Sequence, residues 1–336
     1  MISLLRNQRF RVYILLAVFV CLCAGVLISL NLKQQDYEMA DTEPLQSEVA
    51  PPFPVGVNPQ TETITELENI EVYRTDTDLL LASSDSPIRK AMNDMLYQFA
   101  WYQQLAAPMS RILVIWPGER KEEVVDNFGD ILGWDSTERA RFEILVTESA
   151  ETTIADGIFP PGRYVVTYNA TPEAVAQLLN DRLEEELLAR YTNEVAAQVP
   201  LEDALKIASL IEREAHDFTD MRYISGVIWN RLFIEMPLQL DASLQYVKGS
   251  NPYEKHWWPP VRPDDKFLKS PYNTYQNEGL PPGPIANPSL SAVLAALNPR
   301  VTDCMFYFHE DDGTFHCSIT YDEHVAKLKE LYGQGR

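Results

Sequence analysis

The stretch Leu201-Glu-Asp-Ala-Leu-Lys-Ile-Ala-Ser-Leu-Ile-Glu-Arg-Glu-Ala-His-Asp217 constrains this chain more than any other. It contains neither Gly nor Pro, follows Pro200 and carries Glu202 and Asp203 in its first turn, so it reads as a helix. At about 100° per residue, Leu201, Ala204, Leu205, Ala208, Glu212 and Ala215 fall along one line. Glu212 thus lies in an apolar stripe, whereas Glu214, about 200° further round, shares its side with Asp203 and Lys206 and reads as an ordinary surface acid. Burial disfavours an ionised carboxyl, and a protonated carboxyl on such a face is what a general acid requires. The same position suits a structural glutamate paired with Arg213 or Arg231, and periodicity alone leaves both readings open.

A second constraint lies at the start. Val12 to Leu30 is an uncharged apolar run long enough to cross a bilayer. Arg6, Arg9 and Arg11 precede it, and Asp36, Glu38, Asp41 and Glu43 follow. The positive-inside rule then predicts a cytoplasmic tail at residues 1–11, a single membrane-spanning helix at 12–30 and an extracytoplasmic remainder. A cleaved signal peptide is the competing reading, but the run is long for one and no small-x-small site follows closely. The net charge of −21, from 49 acidic against 28 basic residues, favours neither nucleic acid nor an anionic membrane surface as a partner. Cys21 and Cys23 fall inside the apolar run as small hydrophobes. Cys304 and Cys317 flank an expected hairpin, and both a disulfide and free thiols fit their spacing.

The rest divides by composition. Residues 31–86 are polar and hold Pro44, Pro51, Pro52, Pro54 and Pro59, the pattern of a linker. Residues 87–109 predict a helical connector with Ile88, Met92, Met95, Leu96, Phe99 and Leu105 for packing. Residues 110–168 predict a small α/β module: a strand at Arg111–Trp116, a turn at Pro117-Gly118, helices at Glu119–Leu132 and Ser136–Leu145, and a return strand at Tyr164–Thr167. Its composition suggests a spacer or substrate-presenting role. Thr171-Pro172-Glu173 starts a helix expected to run to about Gln198, the Glu212 helix follows, and a third is expected from about Thr219 to Glu235. Three successive helices imply a mostly α domain over residues 169–336 within an α+β chain.

Leu238 to Pro288 is long and largely irregular, yet rich in Tyr246, Tyr253, Trp257, Trp258, Phe267, Tyr272 and Tyr275. Aromatic faces beside amides and carboxylates suit a carbohydrate cleft, and a proline-stiffened loop packing its rings on the core fits as well. Asn287-Pro288 is expected to cap a helix at Ser289–Leu297, Met305–His309 and Thr314–Ile319 form a hairpin around Asp311-Asp312-Gly313, and a last helix starts near Tyr321. The five histidines show no tight ligand spacing, and even His309, Glu310 and His316 on the hairpin do not predict a metal.

Ala208-Ser-Leu-Ile-Glu-Arg-Glu214, Asn230-Arg-Leu232, Leu238-Gln-Leu-Asp241, Tyr272-Asn-Thr-Tyr275 and Gly279-Leu-Pro-Pro-Gly-Pro-Ile-Ala286 stand in the order and spacing of the endolytic murein transglycosylases, the YceG-like, MltG-type family. The chain resembles that family from about Arg111 onward, and Asp156-Gly-Ile-Phe-Pro160 resembles its segment before the catalytic domain. The N-terminal run matches the family's bitopic layout, and the 110–168 module resembles its LysM-like subdomain. Thr320, Glu323 and His324 match the terminal Thr-x-x-Glu-His pattern, while Phe315 and Cys317 replace the His and Phe that usually precede it.

The resemblance implies cleavage of the β-1,4 bond between N-acetylmuramic acid and N-acetylglucosamine inside nascent peptidoglycan strands, leaving 1,6-anhydro ends and consuming no water. One carboxyl serves both steps, unlike the usual carboxylate pair of glycosidases. By position it is Glu212, the residue the helical stripe also selects. Gln239, Asp241, Tyr272, Asn273, Thr274 and Tyr275 are the expected sugar contacts, with Asn273 or Tyr275 nearest the acetamido group or the developing charge. Asn230 is expected at the substrate too, or, with Arg231, as a brace. No cofactor or metal is implied. Peptidoglycan, the cytoplasmic membrane and peptidoglycan synthases are the expected partners. A hydrolytic muramidase, a membrane-anchored wall-binding scaffold and an adhesin or sensor ectodomain are the rival readings.

Overall fold

The computed structural model describes residues 50–74, 109–149 and 156–333. The chain divides after Ala50, and everything below belongs to the unit Pro51–Arg336. The expected membrane helix and helical connector lie outside the described residues, among which no helix is long and apolar enough to cross a membrane. The architecture is mixed α and β, mostly helical with small two-stranded sheets.

A hairpin of very short strands, β1 (Val57–Asn58) and β2 (Thr63–Ile64), opens it. Strand β3 (Ser110–Ile115) and strand β4 (Gly162–Thr167) pair antiparallel, Ser110 opposite Thr167 and Ile115 opposite Gly162. Alternation sends Leu113, Ile115, Tyr164 and Val166 inward. Helix α1 (Lys121–Leu132) and helix α2 (Ser136–Ser149) lie between the strands in sequence, so the module has the order βααβ. Phe128, Phe142, Phe159 and Trp134 meet at its centre with ring centroids 5.2–5.9 Å apart, and the Trp134 indole N–H donates to Ala170 O.

Helix α3 (Pro172–Glu186) starts where Thr171 accepts the Ala174 N–H. It does not run to Gln198. A 3₁₀ turn at Leu188–Arg190 breaks it, and helix α4 (Asn193–Gln198) is separate. The break is tertiary in origin: the Arg190 carbonyl accepts from Phe53 N, and its guanidinium donates to Pro51 O and Tyr73 O.

The same contacts correct the expected linker. Residues 51–74 pack onto the helical domain with Phe53, Val57 and Ile70 buried, and Gly56 N donates to Leu297 O. Proline and polar spacing hid these few apolar anchors, each worth about 1.5–3 kcal/mol once buried.

The core is helix α5 (Leu201–Glu214) against helix α6 (Phe218–Phe233) and helix α8 (Leu290–Leu297). Helix α7 (Asp241–Gly249) lies between α6 and α8 in sequence, and strands β5 (Phe306–His309) and β6 (Phe315–Ser318) lead to helix α9 (Tyr321–Tyr332). Asp217 caps α6 by accepting Asp220 N–H. Helix α8 is apolar all round and buried from Ser291 to Leu297. Helix α5 buries not only Ala204, Leu205 and Ala208 but also Ile207, Ser209, Leu210 and Ile211. It is embedded on several sides, so a single stripe understates what surrounds its end. Cys304 and Cys317 are bridged, Cα atoms 5.7 Å apart, which closes the β5–β6 hairpin.

Candidate active site

The last turn of α5 presents Glu212 and Glu214 to two different surroundings. Glu212 is half-buried at the N-terminus of α8. Its Oε2 accepts the Ser289 backbone N–H at 2.9 Å and the Ser289 hydroxyl at 2.6 Å. The same hydroxyl oxygen accepts Ala292 N–H at 3.1 Å, so Ser289 caps α8 and fixes Glu212 together. Both Ser289 groups donate to one oxygen of the carboxyl at a helix start, a different environment from the purely apolar stripe that periodicity suggests.

The βααβ module closes this side. Gly118 N donates to Asn287 O, and Asn287 donates through its backbone N and its Nδ2 to Glu119 O. The fully buried Asn287 also accepts Phe159 N–H on Oδ1, tying the 156–160 segment to the same point. Gly118 has φ +83°, and a Cβ there would stand 3.1 Å from the Arg213 side chain and 3.7 Å from Glu212 Cγ. The module is thus more than a distant spacer, because its first turn forms the wall beside Glu212. Next to it the Arg213 guanidinium lies 4.0 Å over Trp258, whose indole N–H donates to Glu123. Burial depresses the Arg213 pKa and raises that of Glu123.

Glu214 departs from the expectation of an ordinary surface acid. Its Oε1 accepts Ala242 N–H at 3.1 Å and its Oε2 the Tyr307 hydroxyl at 3.0 Å. Burial pushes its pKa up, against the two hydrogen bonds, and pushes that of Tyr307 well up too. Helical periodicity describes one helix alone, and here α7 and strand β5 cover what it assigned to solvent. Beyond Tyr307, strand β5 brings His309 to Asp220 and His216, a group whose ligand atoms lie close enough to share a metal ion.

The expected sugar contacts divide. Gln239 and Asp241 are exposed, and Tyr272 and Tyr275 are partly so. Gln239 adopts φ +51° with its N–H held by Thr274 O. The Tyr275 hydroxyl donates to Asp241 Oδ1 at 2.6 Å, and Tyr272 packs on Tyr246 with centroids 4.7 Å apart. Asn273, Thr274 and Asn230 stand otherwise. Asn273 is fully buried, donating to Lys266 O and Leu268 O and accepting Tyr275 N–H. Thr274 is buried at 2 % exposure, where its hydroxyl accepts Leu240 N–H and meets Ser243 Oγ. Asn230 donates to Thr302 O and Cys304 O. All three hold backbone: Asn273 and Thr274 serve a long loop without ladders, and Asn230, on α6, holds the carbonyls just before β5.

The aromatic segment is likewise mixed. Arg120 lies over Tyr246 and Trp257, while Tyr253 and Phe267 are largely exposed. Sequence reasoning missed Ser289, Asn287, Ala242 and Tyr307. Ser289 carried a readable signal, a serine directly before an apolar helix. The other three did not.

Residues 85–330 match the YceG-like family. An endolytic murein transglycosylase of Bacillus subtilis (strain 168) is 40% identical over 135 residues, 40% of this chain and 36% of that protein. One from Streptococcus pneumoniae serotype 2 (strain D39) is 27% identical over 186 residues, 55% of this chain and 34% of that protein. The chain thus matches about a third of the length of these curated relatives. In the solid state, a yceG-like protein of Listeria monocytogenes superimposes with a TM-score of 0.54 at 27% identity, covering 65% of this chain and 76% of that one. With the family match extending over most of its length, this chain belongs to the YceG-like family.

Proposed function

We propose that the chain is an endolytic murein lytic transglycosylase that cuts the β-1,4 bond between N-acetylmuramic acid and N-acetylglucosamine, with Glu212 as its acid and base. The observation that carries this reading is the anchoring of Glu212 Oε2 by both donors of Ser289 beside the Gly118 turn. A carboxyl so held keeps one orientation through two proton transfers. In the first, the protonated Glu212 gives its proton to the glycosidic oxygen as the C1–O bond breaks. In the second, the resulting carboxylate takes the proton of the muramic C6 hydroxyl as O6 bonds to C1. The acid is regenerated and a 1,6-anhydro end forms. Gln239, Asp241, Tyr272 and Tyr275 contact the sugars, Asn273 and Thr274 shape the loop that presents them, and Asn230 braces the segment before β5.

The finer layout belongs to the same proposal. Residues 12–30 anchor the chain in the cytoplasmic membrane with residues 1–11 inside. The folded part lies outside, where the Cys304–Cys317 bridge suits an oxidising compartment. The βααβ module acts as a LysM-like subdomain that also walls the site, and peptidoglycan synthases that make the strand are the fitting partners.

Mass spectrometry of peptidoglycan digested by the full chain and by Glu212→Gln tests this. Internal fragments ending in 1,6-anhydro-muramic acid, lost in the variant, are expected. Reducing ends instead would make it a hydrolase, and binding without product would make it a scaffold. An equally active variant would move the chemistry to Glu214.

A further inference from the structure

We propose that His216, Asp220 and His309 form a binding site for a divalent transition metal of the zinc class, joining the α5–α6 corner to the hairpin. His309 Nε2 lies 2.8 Å and His216 Nδ1 3.6 Å from Asp220 Oδ2. The three ligand atoms lie within 4.8 Å of one another. Donors on a tetrahedral zinc with bonds of about 2.0–2.1 Å stand roughly 3.4 Å apart, so small side-chain movements bring these three into range. The two imidazoles meet edge to face at 4.5 Å, both beside one carboxylate. Two imidazoles and a carboxylate are a donor set suited to zinc, with solvent completing the fourth position.

An independent observation concerns Asp220. Only 7% of it is exposed, yet its Oδ1 is buried and accepts no hydrogen bond among the described residues. Its ion-pair partners there are His216 and His309, and no Lys or Arg among the described residues pairs with it. A buried carboxylate without a lasting cation is costly, and a bound divalent ion supplies that charge.

The corner is fixed without help from a metal. Asp217 Oδ1 accepts Asp220 N–H at 2.9 Å, and His216 N–H donates to Asp220 Oδ2 at 2.8 Å. His216, with 59% of its side chain exposed, provides the way in. Ligation uses the His309 Nε2 lone pair, which leaves the ring proton on Nδ1. His309 is two residues from Tyr307, on the same face of β5, so the ion would also steady the hydroxyl that holds Glu214. None of this depends on the transglycosylase reading.

The test uses the full chain without a histidine tag, stripped by a chelator and titrated with Co²⁺ and then Zn²⁺. One equivalent of Co²⁺ giving a d–d absorption band that Zn²⁺ abolishes is expected. His216→Ala, a change at an exposed side chain, should weaken binding at least about tenfold, and so should His309→Gln. His316→Ala, outside the cluster, should not. Zn²⁺ should raise the melting temperature of the wild type and not that of His216→Ala. No saturable binding by the wild type, equal affinity in His216→Ala, or equal loss in His316→Ala would overturn the proposal.

Discussion

The two sides of the α5 C-terminus make an informative pair. On one, Glu212 meets a helix start: two Ser289 donors, the Gly118 turn and the buried Asn287. On the other, Glu214 meets the α7 backbone and a tyrosine under the disulfide-closed hairpin, and burial raises its pKa. The two residues share a helix turn and a side-chain type. Their difference teaches that what arrives from elsewhere in the chain, not the position on the helix, decides the surroundings of each carboxyl.

The largest effect expected is on turnover. Glu212→Gln should lower the rate of anhydro-product release about 10³-fold, while Glu214→Gln keeps measurable activity. If the two variants lose equally, the division between the sides fails. Next, opening the hairpin with Cys304→Ser and Cys317→Ser together should cost about 3 kcal/mol in urea unfolding. That loss should fall on the Glu214 side, with turnover per folded molecule nearly kept.

Ser289→Ala comes third, at about 1 kcal/mol for the lost cap. It should reduce turnover as well, since the Glu212 carboxyl loses the hydroxyl that donates to it at 2.6 Å. Ser289→Thr should recover both, and a stability loss with unchanged turnover would break the link drawn between them. The smallest effect is in pH dependence. Burial raises the native pKa of Glu214 above the ordinary 4.5, so the native protein binds that proton more tightly than the unfolded chain does. Its stabilising share is therefore full below that ordinary value and is lost as pH rises through the raised one. Glu214→Gln, whose amide can still pair with the Tyr307 hydroxyl, should show a flatter fall of melting temperature as pH rises above the ordinary carboxyl value of 4.5.

Local signals explain what was legible. Thr171-Pro172 marks the start of α3, the uninterrupted run from Leu201 marks α5, and Asp311-Asp312-Gly313 marks the hairpin turn. Leu113 and Ile115 alternate as a half-buried strand should. The break after Glu186 was not legible, because it answers to contacts with Pro51, Phe53 and Tyr73, far away in sequence. Nor was the burial of Asn273 and Thr274, whose polar groups look equally suited to a ligand or to loop backbone until the loop closes. Glu212 emerged from periodicity and resemblance alike, but its partner is 77 residues later. The meeting of His216, Asp220 and His309 likewise spans 89 residues between Asp220 and its strand partner, beyond any spacing rule.

The Ser289 hydroxyl joins two events usually kept apart. Its oxygen receives the Ala292 amide while its proton points at Glu212. Each change in the charge of the carboxyl therefore alters how strongly that hydroxyl is polarised, and with it the first amide bond of α8. Amide exchange at Ser289 and Ala292 becomes a reporter on the protonation of Glu212, readable with no substrate present and no label near the site.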